Sequence, residues 1–365
     1  MTRLEDEMHE QPEAAARLLT QAWPLLDELA AVVRGPGTAG VVIVARGTSD
    51  NAARYAQYLW GLRHGLPVAL ATPSLVSVYG RRLELRHHSV VAISQSGSSP
   101  DIVRFVETAR ADGRPTLAVT NEAGSELAAA AGHVLALAAE PERSVAATKT
   151  YTTSLLAVAL LSHALAGRDP SEAAEVRRVP EALHAAVDGT RGVDAAARLL
   201  STYDRAVCVG RGVNLATAHE TALKLTELTG TLVMPFSPAD LLHGPIAAVG
   251  PDAPAVLIAP DEPASASVLG LLPELRRRGA PVIVVGDASA RPVVEASGPV
   301  GQEAGPGGPP APVLLVELPP EAALPGWLTP ITAVVAGQLL ARRVAELRGV
   351  DLDHPGELTK VTRTW

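Results

Sequence analysis

The chain has 365 residues, of which 47% are hydrophobic and 19% charged, and its formal net charge is −8. This length and composition can bury the cores of two ordinary domains, and an acidic chain without a basic stripe argues against nucleic acid as a partner. The single cysteine, Cys208, excludes an internal disulfide framework and a zinc site built on cysteines.

The N-terminus does not have the pattern of a targeting segment. The first residues, MTRLEDEMHEQ, are acidic and lack the apolar core of a signal peptide. The longest apolar runs, such as residues 155–161, are far shorter than the roughly 18 residues that span a bilayer. Together with the low cysteine content, these features predict a cytoplasmic protein without a membrane partner.

The first half of the chain alternates apolar strands with helices. One or two leading helices are predicted within residues 5–34 from the helical spacing of their apolar side chains. The predicted strands lie at 41–45, 67–71, 90–94, 116–120 and 133–138. The helices after them lie near 51–63, 101–112 and 124–131, and a long apolar helix follows the polar residues 140–153 and ends near 166. Because parallel strands are buried on both faces, this alternation of fully apolar strands and helices predicts a doubly wound parallel sheet.

The second half of the chain repeats the first. Residues 205–212 are similar to 40–47, with Arg211-Gly212 standing 165 positions after Arg46-Gly47. Residues 255–260 align with 90–95 at the same offset, and a strand at 313–318 and a long helix near 329–348 complete the copy. Such self-similarity indicates a duplicated domain.

The repeat divides the chain into five predicted segments and gives the fold class. The segments are an N-terminal helical segment (1–34), a first domain (35–168), a helical linker (169–200), a second domain (201–348) and a C-terminal tail (349–365). The glycine- and proline-rich residues 298–312 predict an exposed loop in the second domain. The predicted fold is α/β, with two duplicated doubly wound parallel sheets.

The turn after the predicted strand at 90–94 has the composition of an anion site. It is Ser94-Gln95-Ser96-Gly97-Ser98-Ser99, and the following Pro100 is favoured in the first turn of a helix. Free backbone N–H groups, the positive end of a helix dipole and serine hydroxyls would meet there and suit a terminal phosphomonoester. Without Lys or Arg in the turn, it is not a Walker loop. On local composition alone, an ordinary serine-rich loop is an equal alternative.

The second copy carries acidic residues at the same place. Residues 259–264 are Ala-Pro-Asp-Glu-Pro-Ala, and their carboxylates would repel a phosphate. We therefore expect one phosphate site in each chain, formed by the first domain.

Lysine is rare in this sequence. Of 31 basic residues, only Lys149, Lys224 and Lys360 are lysines. Arginine can replace lysine where a solvated charge suffices, but not where an amine must lose its proton or form a Schiff base. Each lysine is therefore a candidate functional residue, and the alternative is that surface lysines persist by chance.

Three further positions could carry chemistry. Glu220, Lys224 and Glu227 share one face of a predicted helix whose intervening residues are apolar, so a glutamate beside a lysine could act as a base. A solvated helix face is the alternative for this group. His243 precedes Gly-Pro in a turn, where a structural role is more common. Lys360 lies in a tail that either closes over a site or frays.

These motifs, taken together and in order, resemble the tandem form of the sugar isomerase (SIS) domain family. The likeness covers nearly the whole chain and extends to the isomerase half of glucosamine-6-phosphate synthase and to stand-alone amino-sugar-phosphate deaminases and isomerases. The motifs that carry it are Arg46-Gly-Thr-Ser49, Ser94-Gln-Ser-Gly-Ser-Ser99, Ser144-Val-Ala-Ala-Thr-Lys149, Ala222-Leu-Lys224-Leu-Thr-Glu227, His243-Gly-Pro and Leu358-Thr-Lys360.

The resemblance implies a role for each of these residues. Glu227 would be the base that moves a proton between C1 and C2, Lys224 its neighbouring lysine, and Lys360 the tail lysine that meets the open-chain sugar. His243 would open the sugar ring and would come from the other subunit of a homodimer. The substrate and its phosphate would be bound by Thr48, Ser49, Ser94, Gln95, Ser96, Ser99, Val145 and Ala147. No metal or other cofactor is implied.

The sequence departs from the family pattern in its sugar contacts and at its start. Ala147 stands where the synthases have serine, and Ser98 stands where glutamate is frequent. Only a short helical stretch without cysteine precedes the first domain, so glutamine is not the expected nitrogen donor.

The expected activity is that of an enzyme acting on a hexosamine 6-phosphate. We expect a glucosamine-6-phosphate deaminase and isomerase that gives fructose 6-phosphate and ammonia. With an acetylated nitrogen, removal of the C2 proton would instead expel the C3 hydroxyl, and the enzyme would be a dehydratase (lyase) of N-acetylglucosamine 6-phosphate. A non-catalytic sugar-phosphate sensor is a third possibility, but sensors often carry a DNA-binding helical domain, for which the first 35 residues are too short and acidic.

Overall fold

The computed structural model of the protein describes residues 2–297, 311–353 and 360. These residues form two units. The first unit contains residues 10–180 and Lys360, and the second contains residues 2–9, 181–297 and 311–353. The boundary lies inside the predicted linker, and the five predicted segments otherwise stay a prediction. The predicted loop at 298–312 lies outside the described residues except for its last two.

The first unit is built on a parallel sheet whose strand order is β2-β1-β3-β4-β5. The strands are β1 (Gly40–Val44), β2 (Val68–Leu70), β3 (His88–Ile93), β4 (Thr116–Thr120) and β5 (His133–Ala136). Every residue of β1 and β4 is buried, as expected of apolar strands in a parallel sheet covered by helices. Each predicted strand of this half is present, with ends that differ by a few residues.

The second unit contains a parallel sheet in the order β10-β9-β8-β6-β7. Its strands are β6 (Arg205–Val209), β7 (Leu232–Phe236), β8 (Ala255–Ala259), β9 (Val282–Gly286) and β10 (Val313–Glu317). Read from the β7 edge, the order is β7-β6-β8-β9-β10, which is the order of the first sheet with β6 to β10 in the places of β1 to β5.

The register of the strands also repeats. Val42 is paired with Val90 in the first sheet, and Val207 is paired with Ala255 in the second. These pairs are related by the 165-residue offset found in the sequence. The predicted duplication and the doubly wound α/β fold are therefore confirmed.

Helices connect the strands of both units. In the described residues they are α1 (Arg3–His9), α2 (Gln11–Ala22), α3 (Leu26–Val33), α4 (Thr48–His64), α5 (Ser74–Ser77), α6 (Pro100–Ala111), α7 (Glu126–Ala130), α8 (Lys149–Leu165), α9 (Pro170–Arg177), α10 (Val179–Gly189), α11 (Val193–Leu200), α12 (Leu215–Thr229), α13 (Pro238–Leu242), α14 (Ser265–Leu269), α15 (Leu272–Arg277), α16 (Arg291–Ala296) and α17 (Thr329–Leu347). Short 3₁₀ turns lie at Trp23–Leu25, Gly212–Asn214, Pro245–Ala248 and Pro320–Ala322. None of these described helices combines the length and the apolar character needed to cross a membrane.

The helix after β1 begins earlier than the sequence predicts. Gly47 has a φ of +53°, and α4 starts at the next residue, Thr48, rather than near residue 51. The left-handed glycine turns the chain directly from the strand into the helix, which side-chain periodicity does not reveal. Pro100 is the first residue of α6, as predicted.

The first sheet has a topological switch point between β1 and β3. One neighbour of this pair is β2, and β4 lies on the other side, so the chain leaves the two strands in opposite directions. Doubly wound folds bind ligands in the crevice that this divergence opens at the carboxyl ends of the strands. The segments that leave the sheet here are residues 46–49 and 94–99.

Candidate functional site

The serine turn (Ser94–Ser99) is held in one conformation by the sheet and by the helix beside it. The hydroxyl of Ser94 accepts a hydrogen bond from the Gly97 N–H at 3.2 Å, and the hydroxyls of Ser96 and Ser98 lie 2.9 Å apart. Gly97 has a φ of +58°, and a Cβ there would lie 2.1 Å from Ser125 Oγ, just before α7. Only glycine therefore allows this close contact.

The serine turn leaves backbone donors open. The N–H groups of Ser96 and Ser99 donate to no acceptor within the described ranges. Ser99 is the N-cap of α6, and its side chain forms no capping hydrogen bond. Open N–H groups at the N-terminus of a 12-residue helix are suited to an anion, because they add to the positive end of the helix dipole.

Thr48 and Ser49 lie at the same switch point, in the first turn of α4. Both are partly exposed, as are Gln95, Ser96 and Ser99, whereas Ser94 is buried. Two helix N-termini and the hydroxyls of these residues therefore lie at the carboxyl edge of β1 and β3. The structure brings these predicted phosphate ligands to one edge of one sheet, and their roles stay predictions.

The acidic turn (residues 259–264) of the second unit differs from the serine turn in its hydrogen bonds. The N–H of Asp261 donates to Asp287 Oδ2 at 2.8 Å, and the N–H of Ala264 donates to Glu262 Oε2 at 3.0 Å. At the 165-residue offset, these are the counterparts of the open N–H groups of Ser96 and Ser99. Carboxylates of the chain itself satisfy these donors in the second unit.

An arginine forms an ion pair with the helix that follows the serine turn, a contact that the sequence did not indicate. Arg46 donates through Nε and Nη2 to Asp101 Oδ2, at 2.9 and 2.7 Å. Asp101 lies in the first turn of α6 and its side chain is fully buried, whereas the side chain of Arg46 is 48% exposed. Sequence analysis missed this pair, since the two residues come from different strand–helix connections and neither pattern alone indicates the contact.

A buried carboxylate holds the tail lysine in the first unit. Glu142 accepts hydrogen bonds from Lys360 Nζ at 2.6 Å, from the Thr148 N–H at 2.9 Å and from Thr150 Oγ1 at 2.7 Å. The pKa of Glu142 is below its usual value. Burial alone would raise this pKa, but the charge of Lys360 and these hydrogen bonds have the larger, opposite effect. Residues 354–359 and 361–365 of the predicted closing tail lie outside the described residues.

The segment between Glu142 and α8 carries two other predicted ligands. Val145 and Ala147 are both partly exposed there, between the buried residues Glu142 and Lys149. Lys149 is 2% exposed and forms an ion pair with Glu10, which gives this lysine a structural contact within the first unit. Glu142 was not predicted, because a single glutamate in a polar stretch gives no sequence signal.

The predicted acid–lysine group of the second unit is formed on α12. Lys224 Nζ lies 2.5 Å from Glu227 Oε2 and 3.4 Å from Glu220 Oε1. Glu220 is fully buried and Lys224 is 2% exposed, so this is not a solvated face, whereas the Glu227 side chain is 31% exposed. Burial lowers the pKa of Lys224, but the two carboxylates outweigh it and raise the pKa above its usual value. A charged lysine thus lies beside a carboxylate that is partly exposed.

His243 forms no hydrogen bond or ion pair with this group. It follows α13, and its exposed ring forms no hydrogen bond or ion pair with any described residue. Leu242 beside it is 53% exposed, and Leu232 and Met234 on the edge strand β7 are 63% and 51% exposed. No hydrogen bond or ion pair joins His243 to Glu227 in the described part of the chain. There, too, no cluster of three His, Cys, Asp or Glu side chains is arranged to hold a metal ion.

The chain is similar to known proteins over nearly its whole length. It is 33% identical to a glutamine–fructose-6-phosphate aminotransferase (isomerizing) of Methanothermobacter thermautotrophicus over 97% of this chain, and it spans 56% of that relative's length. A crystal structure from Silicibacter pomeroyi DSS-3, described as a candidate phosphosugar isomerase, is 33% identical and has a TM-score of 0.81, covering 96% of this chain and 100% of the other.

A further structure and a family match agree with these similarities. The C-terminal domain of glucosamine-fructose-6-phosphate aminotransferase from Francisella tularensis shares the fold, with a TM-score of 0.79 and 24% identity over 96% of this chain and 97% of that domain. The family described as SIS domain matches residues 40–164 and 199–300, one stretch in each half. The chain therefore belongs to the SIS domain family and carries two copies of its domain.

Proposed function

We propose that the protein is a sugar-phosphate isomerase whose substrate is a hexosamine 6-phosphate, most simply glucosamine 6-phosphate. The observation that carries the proposal is the Lys224–Glu227 pair, in which a buried charged lysine lies beside a carboxylate that is partly exposed. The open N–H groups and hydroxyls of the serine turn support the phosphate part of the substrate. The names of the relatives, an isomerizing aminotransferase and a candidate phosphosugar isomerase, support the same substrate class.

The chemistry uses one base and balances without a cofactor. His243 opens the sugar ring, which exposes the aldehyde at C1. Glu227 removes the C2 proton to give an enolamine, and return of the proton to C1 gives the 2-imine of fructose 6-phosphate. Water adds to the imine and ammonia leaves, so glucosamine 6-phosphate and water give fructose 6-phosphate and ammonia.

Lys360 and Lys224 have supporting roles in this proposal. Lys224 keeps a positive charge beside Glu227 and holds its carboxylate in place by a hydrogen bond. Lys360, held by the buried Glu142 in the first unit, meets the open-chain sugar. Val145 and Ala147 line the sugar.

We further propose that the active form is a homodimer in which each subunit receives His243 from its partner. The exposed ring of His243 forms no hydrogen bond or ion pair with the described residues, and it follows the exposed Leu242 in a unit where Leu232 and Met234 on the edge strand β7 are also exposed. Apolar side chains grouped on an edge strand mark a surface that another protein covers.

A paired incubation tests the proposal. Purified protein receives glucosamine 6-phosphate or N-acetylglucosamine 6-phosphate, and mass spectrometry and an ammonia assay follow the products, with Glu227→Gln as the blank. Ammonia and fructose 6-phosphate from the first sugar support the deaminase. A product one water lighter from the second sugar replaces it with the dehydratase. If neither sugar changes, the substrate proposal is wrong.

A further inference from the structure

Arg46 at the end of β1 has no part in the reaction proposed above. The register in which Val44 pairs with Ala92 brings position 46 level with Ser94, the first residue of the serine turn. Arg46 thus lies at the switch point where the phosphate of the proposed substrate would bind.

A buried acid fixes the position of the Arg46 guanidinium. Asp101 Oδ2 accepts from both Nε and Nη2, and Asp101 Oδ1 accepts from the Ile102 N–H at 2.9 Å. Because a buried carboxylate without partners is very unfavourable, Asp101 needs this cation. The cation is therefore held against the first turn of α6.

The ion pair leaves part of the guanidinium available. Arginine carries five N–H donors, and the two contacts with Asp101 use one on Nε and one on Nη2. Three donors remain on a side chain that is 48% exposed. Planar guanidinium groups match the oxygens of a phosphate, and such charge-assisted hydrogen bonds are about twice as strong as neutral ones.

The second unit provides an internal comparison. Arg211 stands at the counterpart of Arg46, but Ala266 stands where the first unit has Asp101. Within the described ranges, Arg211 forms no ion pair. A pair that only tied the first strand to the helix would be equally useful in both units. It is present only beside the turn with open N–H groups, which indicates a role in binding the anion.

We propose that Arg46 is a further phosphate-binding residue and that Asp101 is the residue that positions it. The ligand group is the dianion of a phosphomonoester or of inorganic phosphate. Arg46 neutralises the charge of Asp101, which would otherwise oppose an anion at the N-terminus of α6. The inference rests on the proposed function only for the identity of the sugar. The binding of the phosphate group by Arg46 does not depend on it.

The first test is calorimetric titration of the full chain with inorganic phosphate. We expect Arg46→Gln to weaken phosphate binding by about 10- to 100-fold, the range for loss of a hydrogen bond between charged groups. Arg46→Lys should restore part of the loss, Asp101→Asn should weaken binding less, and the matched control Arg211→Gln should leave it unchanged. With sugar phosphate, the loss in Arg46→Gln should fall on KM rather than on kcat.

A second test needs only the unaltered protein. Phenylglyoxal modifies accessible arginines, and mass spectrometry of peptides measures the rate at each position. Saturating phosphate should slow the modification of Arg46 and leave that of Arg211 unchanged.

Two outcomes overturn the inference. One is phosphate binding by Arg46→Gln that equals that of the unaltered protein, and the other is a modification rate of Arg46 that phosphate does not change. Either result with sugar turnover intact leaves the proposed function standing. Absence of turnover alongside protected Arg46 would instead refute only the proposed function.

Discussion

After β3 the chain enters α6 through the serine turn, and after β8 it enters α14 through the acidic turn. Both turns follow strands of the same order and register. In the serine turn, the N–H groups of Ser96 and Ser99 are open within the described residues, whereas their counterparts at Asp261 and Ala264 donate to carboxylates. The same backbone thus leaves two N–H donors open in one unit and satisfies them with the chain's own carboxylates in the other.

This difference indicates that side chains, rather than topology, decide whether the N–H groups at a switch point stay open to a ligand. The second unit carries Glu227 and Lys224 on α12 instead, and the proposed function assigns phosphate binding and proton transfer to different copies. Four experiments test this division of roles.

The largest effect is expected from Glu227→Gln. Loss of the general base should lower kcat by about 10²- to 10⁴-fold. Binding of inorganic phosphate should stay unchanged, because the serine turn belongs to the other unit. Steady-state kinetics and calorimetry measure the two quantities, and Glu274→Gln is the control, because this acid of the second unit is 31% exposed like Glu227 but pairs with Arg277 and Arg278. Weaker phosphate binding in Glu227→Gln would contradict the division.

Next is the exchange of turn chemistry by Ser96→Asp. A carboxylate at the position equivalent to Asp261 should weaken phosphate binding by at least about 100-fold, since it repels the anion and competes for the open N–H groups. Calorimetric titration with phosphate checks this. The reverse change, Asp261→Ser, should leave kcat/KM with sugar phosphate unaltered, and a loss there would mean that the acidic turn contributes to the same reaction.

The third prediction concerns Gly97→Ala, which tests the close packing of the serine turn against Ser125 at the start of α7. A Cβ at Gly97 would lie 2.1 Å from Ser125 Oγ and 2.5 Å from Ser125 Cβ, so rotation of the serine cannot relieve the clash. Gly97→Ala should lower the free energy of unfolding by about 3 kcal/mol.

Gly65 is the matched control, since it has the same φ of +58° and a Cβ there would meet no atom within 4 Å. Gly65→Ala should cost about 1 kcal/mol, the conformational penalty alone. Chemical denaturation measures both variants. Equal losses would show that the close contact with Ser125 does not constrain the turn.

The smallest effect is a pH-dependent one at Glu142. Because its pKa in the folded protein is lowered, Glu142 stabilises the fold above the pKa of the unfolded chain, and the effect is lost as pH falls through the folded pKa. Glu142→Gln should reduce the free energy of unfolding by about 1–3 kcal/mol at pH 7, and the difference from wild type should shrink as the solution is acidified below pH 4.5.

The control for this experiment is Glu140→Gln, two residues away, whose side chain is 62% exposed and lies 3.7 Å from Arg17. Exposed pairs of this kind contribute little. Denaturation curves at a series of pH values measure both variants. A difference for Glu142→Gln that grows on acidification would contradict the lowered pKa.

The sequence predicted the fold well, because its signals repeat. Apolar strands followed by helices indicate a parallel sheet in each half, and the pairing of Val42 with Val90 and of Val207 with Ala255 follows the 165-residue offset. Helix starts were less accurate where a left-handed glycine, such as Gly47, joins strand and helix directly.

The site was predicted only where its residues lie close together in sequence. The serine turn and the Glu220–Lys224–Glu227 face are local patterns. Asp101 beside Arg46 and Glu142 beside Lys360 are contacts across 55 and 218 positions, and they arise only from the fold. The roles of His243, Lys360 and the sugar ligands stay predictions from the resemblance.

The contact between Glu142 and Lys360 also bears on how the chain folds during synthesis. Glu142 belongs to the first unit, but its counter-ion is made 218 residues later. At bacterial or eukaryotic elongation rates, that interval is roughly 10 to 40 s. Until then, a nascent first unit has a buried carboxylate without its cation, so the unit that is synthesised first becomes electrostatically complete last.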